Sequence, residues 1–465
     1  MSIENIIKTT AYAVALMATT STLADNQPPL DDATIETAKM LRDAALTDGT
    51  AYELLESLTT EVGPRMAGSP KEQEAINWAI DKFKALGFDK VYTEPVQVPR
   101  WERLSERARV VSPFAQPLRV TALGKSAATP KGGVTAEIVH YATFEDLQAA
   151  NSHDIKGKIV FISNRMERHI AGSGYGRAVQ ARGGGASEAA RKGAVAIVIR
   201  SIGTDSHRMP HTGGVNYEED TPRIAAAALS NPDADQLERI LKRGRPVTLH
   251  LDIQTKDHGM VEMANVIGEI TGTSSPDDVV ILGSHLDSWD LGTGAIDDGA
   301  GVAITMAAAD LIKRMAPRPK RTIRVVLYSA EEIGLVGARQ YAERHKDDLE
   351  HLIIGAESDF GSGPVWALAS KVRPEATFVV DKMAQIMGTL GVVRSEGEAR
   401  GGPDVGQLGR IGMPVMDLMQ NGNQYFDLHH TADDTLDKVK PEDLRQNMAA
   451  WVVFAYIAAN WEGTF

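Results

Sequence analysis

The sequence predicts an α/β protein, a mostly parallel mixed sheet flanked by helices with a smaller α/β module inserted into it. Three observations carry this reading. From Asn265 onward, long apolar strands alternate with helical stretches, the pattern of a sheet covered on both faces. Between about residues 115 and 255 the composition turns glycine-rich, with Gly183-Gly184-Gly185 and short strands, which marks a separate module. The length of 465 residues, at roughly 150 per domain, suggests two or three domains.

The elements follow in order. Lys8 precedes the apolar run Ala11–Ala18, and Thr22-Leu23-Ala24 ends in small residues before Asp25. That run is too short to span a bilayer and fits a secretory signal peptide cleaved after Ala24. Residues Thr34–Leu46 and Ala51–Leu58 show apolar residues at helical spacing. A clearer helix follows, capped by Ser69, with Pro70 in its first turn, Glu72 completing a capping box and Gly87 ending it. Lys90–Val96 and Ala108–Val111 read as short strands. Inside the glycine-rich region, strands Lys158–Ile162 and Ala194–Ile199 flank a helix at Ser187–Lys192.

Composition excludes several functions. With 49 basic against 62 acidic residues and a net charge of −13, no basic surplus exists to neutralise phosphates, so no nucleic-acid partner is expected. Cysteine is absent, which removes disulfides, thiolate metal sites and cysteine nucleophiles. Any metal must be held by His, Asp and Glu. Hydrolase and nucleotide signatures also fail. Gly124-Lys125-Ser126 has Arg119 where a phosphate loop needs Gly, and neither Gly-x-Ser-x-Gly nor His-Glu-x-x-His occurs.

Four apolar strands of the C-terminal half each end in potential metal ligands. Val279–Gly283 runs into His285-Leu286-Asp287, Ile323–Ser329 into Glu331-Glu332, and Leu352–Ala356 into Asp359. Pro414–Leu418 leads through a loop to His429-His430. In open α/β sheets ligands gather beyond the carboxyl ends of the strands, so these pieces should converge on one crevice. Asp297 stands near the start of the helix Ala300–Met315, where its two oxygens can each serve one of two metals. Three carboxylates, two neutral imidazoles and one hydroxide balance the charge of two zinc ions, and zinc suits such N/O ligands.

These stretches resemble the di-zinc exopeptidases of the aminopeptidase and glutamate-carboxypeptidase superfamily, most closely the carboxypeptidase Q (plasma glutamate carboxypeptidase) branch. The matching residues are Ser284–Asp290, Gly294–Gly299, Ala330-Glu331-Glu332, Glu357-Ser358-Asp359 and Tyr425–Thr431. Val62-Gly63-Pro64-Arg65 and Trp101-Glu102-Arg103 match upstream, and Pro210-His211-Thr212-Gly213 matches within the insert. The resemblance implies a zinc-exopeptidase (phosphorylase/hydrolase-like) fold with a protease-associated insert. The expected division is a signal peptide at 1–24, catalytic domain at 25–114 and 256–465, and insert at 115–255.

Carried over by position, the resemblance implies two Zn2+ per chain. His285 and Asp359 hold one, Glu332 and His430 the other, and Asp297 bridges them. Glu331 is the general base acting on a metal-bridging hydroxide, Asp287 orients the His285 imidazole, and Tyr425 stabilises the oxyanion. His430 is preferred to His429 because it heads the His-Thr-x-x-Asp-Thr run ending at Thr435. A cis peptide is implied between Asp297 and Asp298. The expected protein is a secreted or periplasmic exopeptidase acting on dipeptides or short peptides, a homodimer with no stable membrane insertion after signal cleavage. Two other readings are a non-catalytic receptor on the same fold and an amidohydrolase or aminoacylase acting on N-acylated amino acids. Aminopeptidase, carboxypeptidase and strict dipeptidase specificity stay open at this point.

Overall fold

The computed structural model describes residues 27–465; the signal peptide expected at 1–24 lies outside them. No helix among the described residues is long and apolar enough to cross a membrane. In chain order the strands are β1 (Lys90–Ser112), β2 (Gln116–Leu118), β3 (Val120–Ala122), β4 (Val134–Tyr141), β5 (Ile159–Ile162), β6 (Ala196–Arg200) and β7 (Ala225–Leu229). They continue with β8 (Thr248–Ile270), β9 (Ser275–His285), β10 (Arg321–Tyr328), β11 (Leu352–Glu357), β12 (Val365–Lys371), β13 (Val393–Arg394) and β14 (Val415–Gln420). They form one continuous sheet in the order β13-β12-β14-β11-β9-β10-β8-β4-β5-β6-β7-β3, with β1 beside β8 and β2 beside β1.

Pairing is parallel through β14, β11, β9 and β10, so their carboxyl ends open on one side. Antiparallel β12 and β8 flank this run. Helix Ala300–Met315, apolar on nearly every side, is buried over most of its length and packs against the C-terminal helix Pro441–Asn460. Together they cover one face of the parallel strands.

The chain enters and leaves the insert along a two-stranded ribbon. β1 and β8, 23 residues each, pair antiparallel from Lys90 opposite Glu269 to Ser112 opposite Thr248. The sequence predicts two short strands here, Lys90–Val96 and Ala108–Val111, and the structure joins them into one across Pro99. β1 lies at the sheet edge, where proline is tolerated, and the ribbon absorbs its irregularities at bulges beside Trp101 and Ser105.

Beyond the ribbon, β4 to β7 form a second parallel run. The helix expected at Ser187–Lys192 extends over Tyr175–Arg191, glycines included. A Cβ on Gly184 would come within 3.1 Å of Phe144, and one on Gly185 within 3.0 Å of Ile197. The glycines weaken the helix intrinsically but let it lie close against its neighbours.

Helix Pro70–Ala85 begins as expected, with Ser69 Oγ accepting from the Glu72 N–H at 3.3 Å. The second half of the expected capping box is missing. The Glu72 carboxyl instead accepts from the Gly68 N–H and from Ser329 Oγ, each at 2.5 Å, and so ties the helix to the end of β10. Burial, reinforced by the nearby Asp287 charge, pushes this carboxyl up to about 8.

Candidate active site

The strand ends bring the expected ligands together around Asp297. His285 is the last residue of β9, and its Nε2 lies 3.1 Å from Asp297 Oδ1 and 3.4 Å from Asp359 Oδ1. On the other side, His430 Nε2 lies 3.2 Å from Asp297 Oδ2 and 2.9 Å from Glu332 Oε2. The two oxygens of Asp297 thus face two separate imidazole–carboxylate pairs. The peptide between Asp297 and Asp298 is cis. His429 stacks on His430 with ring centroids 3.5 Å apart, and its Nε2 is 3.6 Å from Asp297 Oδ2. It stands farther from Asp297 than His430 does, and His430 is the one in contact with Glu332.

The loops carrying these groups are held by carboxylates that accept backbone N–H groups. Asp287 accepts from the N–H of Glu331 at 3.0 Å and of Glu332 at 3.3 Å. Asp298 accepts from the N–H of His285 at 3.2 Å and of Gly301 at 3.1 Å. Asp434 accepts from the N–H of Ile296 at 2.6 Å and of Asp297 at 3.3 Å. The placement of Asp287 departs from expectation. His285 Nδ1 bonds the Asp287 backbone carbonyl at 3.0 Å, while the nearer carboxylate oxygen stands 3.7 Å away. The side chain is occupied by the Glu331-Glu332 turn, so the ring is oriented by the main chain of Asp287.

Sequence and structure comparisons identify the family and the fold. Residues 265–455 match the model of peptidase family M28. Carboxypeptidase Q of Xenopus laevis is 36% identical over 430 residues, covering 92% of this chain and 90% of that protein. A solved peptidase M28 precursor from Shewanella amazonensis superposes with a TM-score of 0.91 at 49% identity, over 93% of this chain and 98% of the other. A zinc aminopeptidase from Bacillus subtilis shares the fold at 19% identity and a TM-score of 0.64, over 89% of this chain and 96% of the other. The chain belongs to peptidase family M28. It is a metallopeptidase, a hydrolase.

The M28 site concentrates negative charge among largely buried side chains. Burial pushes the carboxyls of Glu331 and Glu332 well up, and neighbouring carboxylates, Asp359 for Glu331 and Asp297 for Glu332, push the same way. Burial alone would lower the His285 imidazole, but Asp359, Asp287 and Asp297 hold it well above the usual range. Burial also opposes ionisation of Asp297, yet the hydrogen bond to His285 and the close imidazoles of His430 and His429 keep its carboxyl well below the carboxylate range. Glu332 Oε1 and Asp297 Oδ2 are buried with no hydrogen-bond partner. Orphaned carboxylate oxygens amid imidazole nitrogens, without a thiolate, fit a hard or borderline divalent cation. Two groups of side chains around Asp297 have the spacing to take one: His285 with Asp359, and the His429-His430 pair.

The M28 site opens into a cavity of about 670 Å³. Glu331 lines it, as do Tyr425, Phe360 and Phe426, whose rings pack together. Several contributors escaped sequence reasoning. Arg65, fully buried, donates to the carbonyls of Leu286 at 2.5 Å, Thr293 at 2.7 Å and Gly294 at 2.9 Å. That gives the matched Val62-Gly63-Pro64-Arg65 stretch a physical purpose, since the guanidinium fixes the loop leading to Asp297. From the insert, Arg182 reaches His430 Nδ1 at 3.3 Å and Tyr175 Oη at 2.6 Å. Gly124 sits against the Trp289 ring, which meets His430 edge to face.

Proposed function

We propose that this M28 peptidase is a di-zinc exopeptidase that hydrolyses dipeptides or short peptides, with Glu331 as general base. The observation that carries the reading is the division of Asp297, one oxygen toward His285 and Asp359, the other toward His430 and Glu332. In this reading His285 and Asp359 would hold one zinc and Glu332 and His430 the other, with Asp297 shared between the two positions. Paired zinc ions supply Lewis acidity and lower the pKa of water. The chain's own groups do the rest. The Glu331 carboxylate takes the proton of the attacking water and returns it to the leaving amine. Burial pushes the Tyr425 phenol well up, so its hydroxyl stays a donor able to stabilise the oxyanion.

The walls favour a small substrate bearing a carboxylate. Lys125, Arg182 and Arg400 line the cavity of a chain whose net charge is −13. Arg182 is buried and forms no salt bridge among the described residues, an arrangement that suits an anionic ligand group. We read the insert as a protease-associated domain. The leader at 1–24 supports export, to a secreted or periplasmic location.

A substrate panel with metal analysis tests this reading. The purified chain should carry two zinc ions and cleave unblocked dipeptides far faster than N-acylated amino acids. Preference for the N-acylated compounds would make it an aminoacylase, and a metal-free, inactive protein would make it a receptor.

A further inference from the structure

The stretch Pro210-His211-Thr212-Gly213 lies in the insert, far in sequence from every ligand, yet it meets the loop that carries His430. His211 is 1% exposed. Its Nδ1 lies 2.6 Å from the carbonyl oxygen of His429, and its Nε2 lies 2.8 Å from Asp205 Oδ1. Asp205 is itself anchored, accepting from Asn231 Nδ2 and from the His207 N–H, each at 2.8 Å. Both ring nitrogens of His211 therefore face oxygen acceptors, and the ring has no freedom to turn.

Thr212 grips the next residue from two sides. Its N–H donates to the carbonyl of His430 at 3.0 Å, and its own carbonyl stands 3.3 Å from His430 Nδ1. Thr212 is locked in turn, since its hydroxyl donates to the Ala122 carbonyl at 2.9 Å and accepts from Arg103 Nη2 at 3.1 Å. His430 needs such a grip. Its φ is +62°, the left-handed region that residues other than glycine adopt only when their surroundings enforce it.

We propose that His211, braced by Asp205, is a positioning residue for the metal bound through Glu332 and His430. It pins the carbonyl of His429 so that Thr212 can hold His430 in its left-handed conformation. The Thr212 carbonyl and Arg182 Nη1 both stand 3.3 Å from His430 Nδ1, and the tautomer that donates from Nδ1 to the carbonyl is the one that leaves the lone pair of Nε2 facing Asp297 and Glu332. The insert thereby completes one of the two metal positions, while the position of His285 and Asp359 is built wholly from the main domain. The proposal rests on the two-zinc reading above.

The test is a zinc titration of the full-length chain against a chromophoric chelator, on wild type, His211→Ala, His211→Gln and Asp205→Asn, with circular dichroism confirming the fold. Wild type should bind two ions. His211→Ala should weaken one of them by about 10–100-fold, the usual effect of losing an outer partner of a ligating histidine, and leave the other unchanged. His211→Gln, which can still donate to the His429 carbonyl, should recover part of the loss. Asp205→Asn should weaken the same ion by less, and it decides the matter if His211→Ala does not fold. Excess zinc should restore kcat in the variants without changing KM. If wild type binds two ions and the variants hold both as tightly, the proposal is overturned alone. Equal weakening of both ions overturns it too. If wild type binds only one, the two-zinc reading falls and takes the proposal with it.

Discussion

Glu331 and Glu332 are neighbours with different surroundings, and exchanging each for glutamine separates their roles. The Glu332 carboxylate touches His430 at 2.9 Å through Oε2, and its Oε1 is buried without a partner. Glu332→Gln therefore removes an anionic ligand and should lower zinc content together with activity. Glu331 is held through its backbone N–H by Asp287, a bond the substitution leaves in place, and its side chain lines the cavity. Glu331→Gln should keep both metals and the fold while turnover falls by about two to four orders of magnitude, the usual worth of a positioned general base. That corresponds to about 3–5 kcal/mol of barrier. The assay pairs zinc stoichiometry after dialysis with kcat on a dipeptide. Metal loss in Glu331→Gln with retention in Glu332→Gln would mean the roles are exchanged. Normal turnover in Glu331→Gln would refute proton transfer through this residue.

Three further outcomes are expected. Zinc at one hundred times its Kd should stabilise the protein by about 2.7 kcal/mol per site over the chelated form, read as a shift in the denaturation midpoint. Arg65→Met removes the donor from three carbonyls, those of Leu286 and Gly294 buried and that of Thr293 partly exposed, and should cost at least about 2 kcal/mol of stability, with weakened zinc binding as a second readout. Glu94 ties β1 to the helix Val336–His345 through Arg344 at 2.6 Å and His345 at 2.8 Å; burial opposes its ionisation, but these partners prevail and lower its pKa. Glu94→Gln should therefore cost roughly 1.5–3 kcal/mol at neutral pH. Because the folded pKa is depressed, that difference should begin to shrink below the ordinary value of 4.5 and vanish below the folded one, as urea midpoints across pH would show.

Much of the site was legible because its ligands sit where apolar runs stop. His285 closes β9, and the Glu331-Glu332 and Asp359 loops open directly after β10 and β11, so periodicity alone located them. Parallel pairing then set those ends side by side. What escaped notice acts across long separations or against local preference. His430 and Thr212 are 218 residues apart, and Arg65 is 229 from Gly294. Both lay in stretches marked as matching, but a one-dimensional pattern carries no sign of which backbone groups they would meet. The ribbon joins two predicted strands across Pro99, a residue that a strand tolerates only at an edge. The long helix of the insert was hidden by its glycines, whose purpose is a close approach visible only in three dimensions.

The same distinction explains how a fold can gather so many carboxylates at one point. Asp287, Asp298 and Asp434 each accept a pair of backbone N–H groups from the loops that carry the expected ligands. Glu357 does likewise for Asp404 and Val405, at 2.7 and 2.8 Å. These acids fix the main chain, and the groups they fix leave oxygens unpaired: Asp297 Oδ2 and Glu332 Oε1 are buried with no partner. An amide donor there would satisfy those oxygens but would displace the cation that their charge attracts. The arrangement spends its hydrogen bonds on the backbone and reserves the ligand oxygens, which is why the carboxylates repel one another in the bare chain and become an asset when divalent charge is present.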